Sequence, residues 1–203
     1  MPRRVLIPVL VALVALAAAT AYLFLRGDGP RPGVFAGERT SAQYAVIDTA
    51  ALDPTPLTVA EVLGPQTTTL ASGGVTMVRG SSGLLDDCGE MLAGVAAEGC
   101  TQVLHAAYTS ADRTVAGQFL LFNLTDGRAA DALVSALGSS GFVRQTVAFD
   151  AARSRAQARA LGHFVTVSWV GPVGGGDHDL VHPQIALDGL ARAVVADRVI
   201  AAT

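Results

Sequence analysis

Gly174-Gly-Gly-Asp-His-Asp-Leu-Val-His182 is the densest run of metal-competent side chains in the sequence. Asp177, His178, Asp179 and His182 offer oxygen and imidazole donors of the kind that hold a divalent metal, and histidines at i and i+4 share one helical face. The run is Gly-rich and ends at Pro183, so that face is not assured, and such a stretch is more often a solvated connection. His105 and His163 fall in apolar, strand-like runs and would lie side by side if those strands paired. A general base there also needs a carboxylate or nucleophile alongside, which the sequence does not identify. The burial habits of histidine favour a hydrogen-bonded structural ring at both positions. Gly80-Ser-Ser-Gly83 and Gly138-Ser-Ser-Gly141 lack the G-x-S-x-G elbow and suit turns and caps. Gly171 to Gly176 follows a strand, but it matches neither G-x-G-x-x-G nor a P-loop, and the chain contains no Lys. No catalytic set assembles and no cofactor is implied.

Cys88 and Cys100 are the only cysteines. An even count in an oxidising compartment invites a disulfide. In one unbroken helix their Cα atoms would lie ~18 Å apart, whereas a bridge needs ~4.4–6.8 Å. A bond therefore requires a short or kinked helix, or a chain that folds back. Two buried inert thiols, or a reactive Cys88 at a helix N-terminus, are the competing readings.

The elements that must position these groups follow from periodicity. Asp87 with Glu90 resembles a capping box, and Cys88, Met91, Leu92 and Val95 have helical spacing up to Gly99. Thr101–Tyr108 and Thr114–Leu124 read as a strand hairpin, the second strand apolar on both faces at Phe119-Leu-Leu-Phe122. Asp126 opens a helix with Ala130, Leu133, Val134 and Leu137 on one side. Phe142–Phe149 reads as a strand, and 151–161 is an Arg- and Ala-rich stretch of open assignment. Residues 162–170 form the clearest strand, with Val165, Val167 and Trp169 alternating onto one face. A last helix over 183–198 turns Leu187, Leu190, Ala191 and Val194 inward. Phe119 and Leu121 are expected to meet both of these helices. Upstream, Thr67–Leu70 and Val75–Val78 flank a hairpin signal. The order from Cys88 is α-β-β-α-β-β-α, which predicts an α+β fold: an antiparallel sheet with helices packed on one face.

Val5 to Leu25 carries no charge over 21 residues, roughly 30 Å of helix, the thickness of a bilayer core. Arg3 and Arg4 hold the N-terminus in the cytoplasm. The expected organisation is a cytoplasmic flank (1–4), a transmembrane signal anchor (5–25), a linker (26–43) and an extracytoplasmic α+β domain (44–203). The alternative is secretion after cleavage near Ala19 or Ala21. Residues 26–203 carry 12 Arg against 17 Asp or Glu, a formal charge of −5. No basic cluster marks a nucleic-acid interface.

All 14 basic residues are Arg, a bias typical of GC-rich bacterial genomes. Glu98-Gly-Cys-Thr-Gln-Val-Leu104, Gln118-Phe-Leu-Leu-Phe-Asn-Leu124 and Gly162-His-Phe-Val-Thr-Val-Ser-Trp-Val-Gly171 resemble segments of uncharacterised single-pass membrane proteins with an exported α+β domain from high-GC Gram-positive bacteria. The resemblance covers most of 83–200. It implies an anchor plus an exported domain and brings no catalytic residues. The expected function is thus a membrane-anchored extracytoplasmic binding or interaction domain, with the membrane and a protein or small ligand as partners. The competing class is an exported hydrolase or metal-dependent enzyme using the 177–182 loop and the strand histidines.

Overall fold

A computed structural model describes residues 29–203, apart from the side chains of Ala193 and Val194. The anchor expected at 5–25 and the inward turn of Val194 lie outside the described residues. Among the described residues no helix is long and apolar enough to cross a membrane.

The core is a curled seven-stranded sheet. Its strands are β1 (Val34–Glu38), β2 (Thr69–Ser72), β3 (Val75–Leu85), β5 (Gln102–Ser110), β6 (Val115–Asn123), β8 (Arg155–Leu161) and β9 (Phe164–Pro172), in the spatial order β1-β8-β9-β6-β5-β3-β2. A two-stranded ladder pairs β4 (Leu92–Ala93) with β7 (Phe142–Val143). Three helices complete the fold: the short α1 (Val59–Val62), α2 (Gly127–Ser139) and α3 (Val181–Ala201). β6 and β9 bury all nine of their residues, as strands apolar on both faces must when helices cover both sides.

Three features of the expected fold are overturned. First, the sheet is mixed, because β1 runs parallel to β8 while the other pairs are antiparallel. Val34–Glu38 lies in the stretch read as linker; its five residues carry too little pattern to announce a strand.

Second, the helices lie on opposite faces. Leu120, Phe122, Val165, Val167 and Trp169 pack with Ala130, Leu133, Val134 and Leu137 of α2. Phe119, Leu121, Phe164 and Val170 pack with Leu187, Leu190, Ala191 and Val195 of α3. Phe119 and Leu121 thus meet α3 alone, because successive strand residues point to opposite faces.

Third, the helix expected from Cys88 to Gly99 is a single 3-10 turn, Cys88–Met91, followed by β4. Asp87 accepts from the amide of Gly89, and Gly94 takes φ 69°. Two glycines within six residues cost a helix about 1 kcal/mol each, and the apolar spacing is met instead by a turn that buries Cys88, Met91 and Leu92. The chain then folds back and closes the Cys88–Cys100 disulfide across a Cα separation of 6.2 Å. The expected strand 142–149 shrinks to the two residues of β7.

Gly162 opens the tight β8–β9 turn with φ 65°. A side chain there would strike the Ile47 carbonyl, 2.3 Å from an added Cβ, so only glycine fits.

Candidate functional site

β8 alternates Arg155-Ala-Gln-Ala-Arg-Ala. That pattern sends Ala156, Ala158 and Ala160 under α2 and leaves Arg155, Gln157 and Arg159 on the face that carries α3. Parallel pairing sets Glu38 of β1 beside Arg159 and Ala36 beside Gln157. α3 lies over β9, β6, β3 and β2 and meets β8 only at its flank. Between α3 and the β1–β8 edge a cleft of about 770 Å³ stays open, within the size range of small-molecule sites.

Charge gathers at one end of this cleft. The Arg159 guanidinium lies between two carboxylates, its Nη2 3.1 Å from Asp188 Oδ2 and its Nε 3.2 Å from Glu38 Oε2. The Nε contact is an ion pair without hydrogen-bond alignment, since that N–H has no hydrogen-bond partner. Gln157 Nε2 donates to Glu38 Oε1 at 3.2 Å. Asp188 is buried enough that desolvation raises its pKa above the ordinary carboxylate value; Glu38 adds to the rise, and Arg159, Arg192 and a hydrogen bond with Ser168 oppose it. Gln184 steadies the floor beneath by donating to Ser168 O at 3.1 Å and Ser168 Oγ at 2.5 Å. Arg192 and Arg39 also line the cleft and, among the described residues, form no hydrogen bond or ion pair. Toward the C-terminus of α3 the helix and β8 contribute apolar lining, Leu161, Val195 and Val199, and the 41–44 segment adds Tyr44 together with the polar Ser41 and Gln43.

Three cations thus face two anions, with one carboxylate biased toward its neutral form. A planar guanidinium whose N–H groups make no hydrogen bond is suited to binding a carboxylate or phosphate through two N–H donors. The charged groups that line this cleft are Glu38, Arg39, Arg159, Asp188 and Arg192.

The sequence-derived candidates are elsewhere and apart. Among the described residues no group of three or more His, Cys, Asp or Glu could hold a metal ion. Asp179 Oδ1 accepts from the Val181 amide at 2.8 Å, and His182 Nε2 lies 3.8 Å from Asp179 Oδ2. The His182 ring abuts Gly73 in the β2–β3 turn, while Asp177 and His178 lie in the adjoining exposed loop. Arg153 fixes that loop by donating to the carbonyls of Gly174 and Gly176. His105 faces Gly83 on β3, and burial lowers its pKa. His163 is fully buried at the β8–β9 turn, its Nδ1 2.8 Å from Ile47 O. His105 and His163 do not pair, because β6 runs between β5 and β9.

Beside His163 lies a partly buried charge cluster. Arg198 holds both Glu61 oxygens at 2.7 and 2.9 Å and Asp53 Oδ2 at 2.8 Å, and donates to the carbonyls of Thr55 and Pro56. It also stacks over Phe164, 5.2 Å from the ring centre. Burial disfavours its charge, and the carboxylates more than offset that. Every donor is engaged with groups that tie segment 53–61 to α3, so this is a structural clamp.

The cleft residues Glu38, Arg159, Asp188 and Arg192 escaped sequence reasoning. The period-2 alternation of 155–160 was the available signal, and Asp188 and Arg192 stand four apart on one helix face. Compared with known proteins, the chain matches no family model, no curated protein and no solved structure. The functional reading therefore rests on the site and not on kinship.

Proposed function

We propose that this chain is a membrane-anchored extracytoplasmic binding module that receives its ligand in the cleft between α3 and the β1–β8 edge. The observation that carries the reading is the cleft itself, with Arg159 held between Glu38 and Asp188 and Arg192, which forms no hydrogen bond or ion pair among the described residues, beside it. The disulfide supports an oxidising compartment outside the cytoplasm. The charge-free run Val5–Leu25 behind Arg3-Arg4 supports anchoring of the chain at the cell membrane. A single-pass protein of high-GC Gram-positive bacteria with its domain outside fits the same residues.

Hydrogen exchange of the full chain in phosphatidylcholine nanodiscs tests this. The small-molecule fraction of a bacterial cell envelope should slow exchange in 38–47 and 188–199. Unchanged exchange in both segments, or protection confined to 177–182, would contradict it.

A further inference from the structure

Resting on the reading of the cleft as a ligand site, we propose that its ligand is a single-chain anionic amphiphile. The acidic head, a carboxylate or phosphate, sits on Arg192, and the apolar tail runs along α3 toward Val199.

The cleft is polarised along the helix. Asp188 and Arg192 mark the charged end, and Val195 and Val199 face Tyr44 and Leu161 at the other. Arg159 is committed to Glu38 and Asp188, so a ligand anion meets Arg192 and Arg39 first. Both are exposed and form no hydrogen bond or ion pair among the described residues, although Arg192 is near enough to Asp188 to stabilise its charge. The cleft carries one more guanidinium than carboxylates, although residues 26–203 carry a formal −5. An anion is therefore drawn to this place and repelled by most of the surface.

The apolar end belongs to the same cavity and not to a separate patch. Ala191, Val195 and Val199 follow one another at four-residue spacing, about 12 Å along α3, opposite Leu161 of β8. That length suits a short hydrocarbon chain. A purely polar anion would leave this trough wet, whereas a tail displaces its water at about 0.8 kcal/mol per methylene, about fourfold in affinity. The volume, about 770 Å³, is that of a small-molecule site.

The test is calorimetry on the full chain in phosphatidylcholine nanodiscs, with empty nanodiscs subtracted. Hexanoate, octanoate and decanoate should tighten by about fourfold per methylene, and decylammonium should not bind. R192Q should weaken decanoate at least tenfold, as expected when a hydrogen bond to a charged group is lost. A196W, a substitution at an exposed position lining the trough, should abolish decanoate binding while the far-ultraviolet circular dichroism and the urea midpoint stay native-like. Equal affinity for hexanoate and decanoate overturns the proposal, as does decylammonium binding as well as decanoate, or unaltered decanoate affinity in R192Q. If decanoate fails but pentanedioate binds and R192Q abolishes that binding, the amphiphile is wrong and the cleft stands. If neither binds and envelope extract leaves exchange in 38–47 and 188–199 unchanged, both readings fall.

Discussion

Trp169 is the largest fully buried side chain, and its surroundings explain why it sits on a central strand. Phe142 and Phe149 meet it edge-on at 4.9 and 5.0 Å, and its Nε1 donates to Ser154 Oγ at 2.6 Å. Trp169→Ala should cost about 3–5 kcal/mol in urea unfolding; a loss below about 1 kcal/mol would mean the indole is not core. His163 contributes to the pH dependence. Burial holds its pKa below the ordinary value, with the Ile47 carbonyl, Asp53 and Asp48 acting against that and Arg198 acting with it. The unfolded chain therefore binds the proton more readily. This contribution is complete above the unfolded value of about pH 6.5 and is lost as pH falls from there through the lower folded-state value. His105 shifts in the same sense, so the contrast must be made with His163→Asn. The drop in urea midpoint between pH 7.5 and 5.5 should be smaller in His163→Asn than in the parent chain. Equal drops would remove His163 as the source.

At the scale of elements, legibility depended on length and pattern. β6 and β9 announced themselves by runs apolar on both faces, and α2 by its stripe and its Asp126 cap, which accepts from the Ala129 amide at 2.8 Å. β8 was missed because half its residues are alanine, too small to register as a buried face until Ala156, Ala158 and Ala160 are seen under α2. The 88–99 segment misled for the opposite reason: four apolar residues kept helical spacing while Gly89 and Gly94 made the helix unfavourable. The cleft suffered with β8, since Arg159 and Glu38 come together only through a parallel pairing 121 residues apart, which no local window contains. The disulfide staples the mis-assigned segment. Its loop of about 13 residues should contribute roughly 3 kcal/mol in the chain-entropy account. Reduction, or a Cys88→Ser/Cys100→Ser variant, should lower urea stability by about that amount. A change below about 0.5 kcal/mol would show the segment holds without it.

Over the whole molecule, α2 covers the β1, β8 and β9 end of one face, with the 88–93 segment and β7 packed beside it, and α3 covers the other face except at the β1–β8 edge. That asymmetry leaves the polar side of β8 in an open cleft, the place where the proposed ligand would sit outside the membrane. Cys88 and Cys100 are bridged to each other and are the only cysteines, so an Ala196→Cys chain carries one free thiol, at the cleft. The decisive measurement is its labelling rate by a membrane-impermeant maleimide on intact protoplasts, with and without envelope small molecules. The account predicts labelling without lysis and a slower rate when those molecules are added. Labelling only after lysis, or a rate that the molecules leave unaltered, would contradict it.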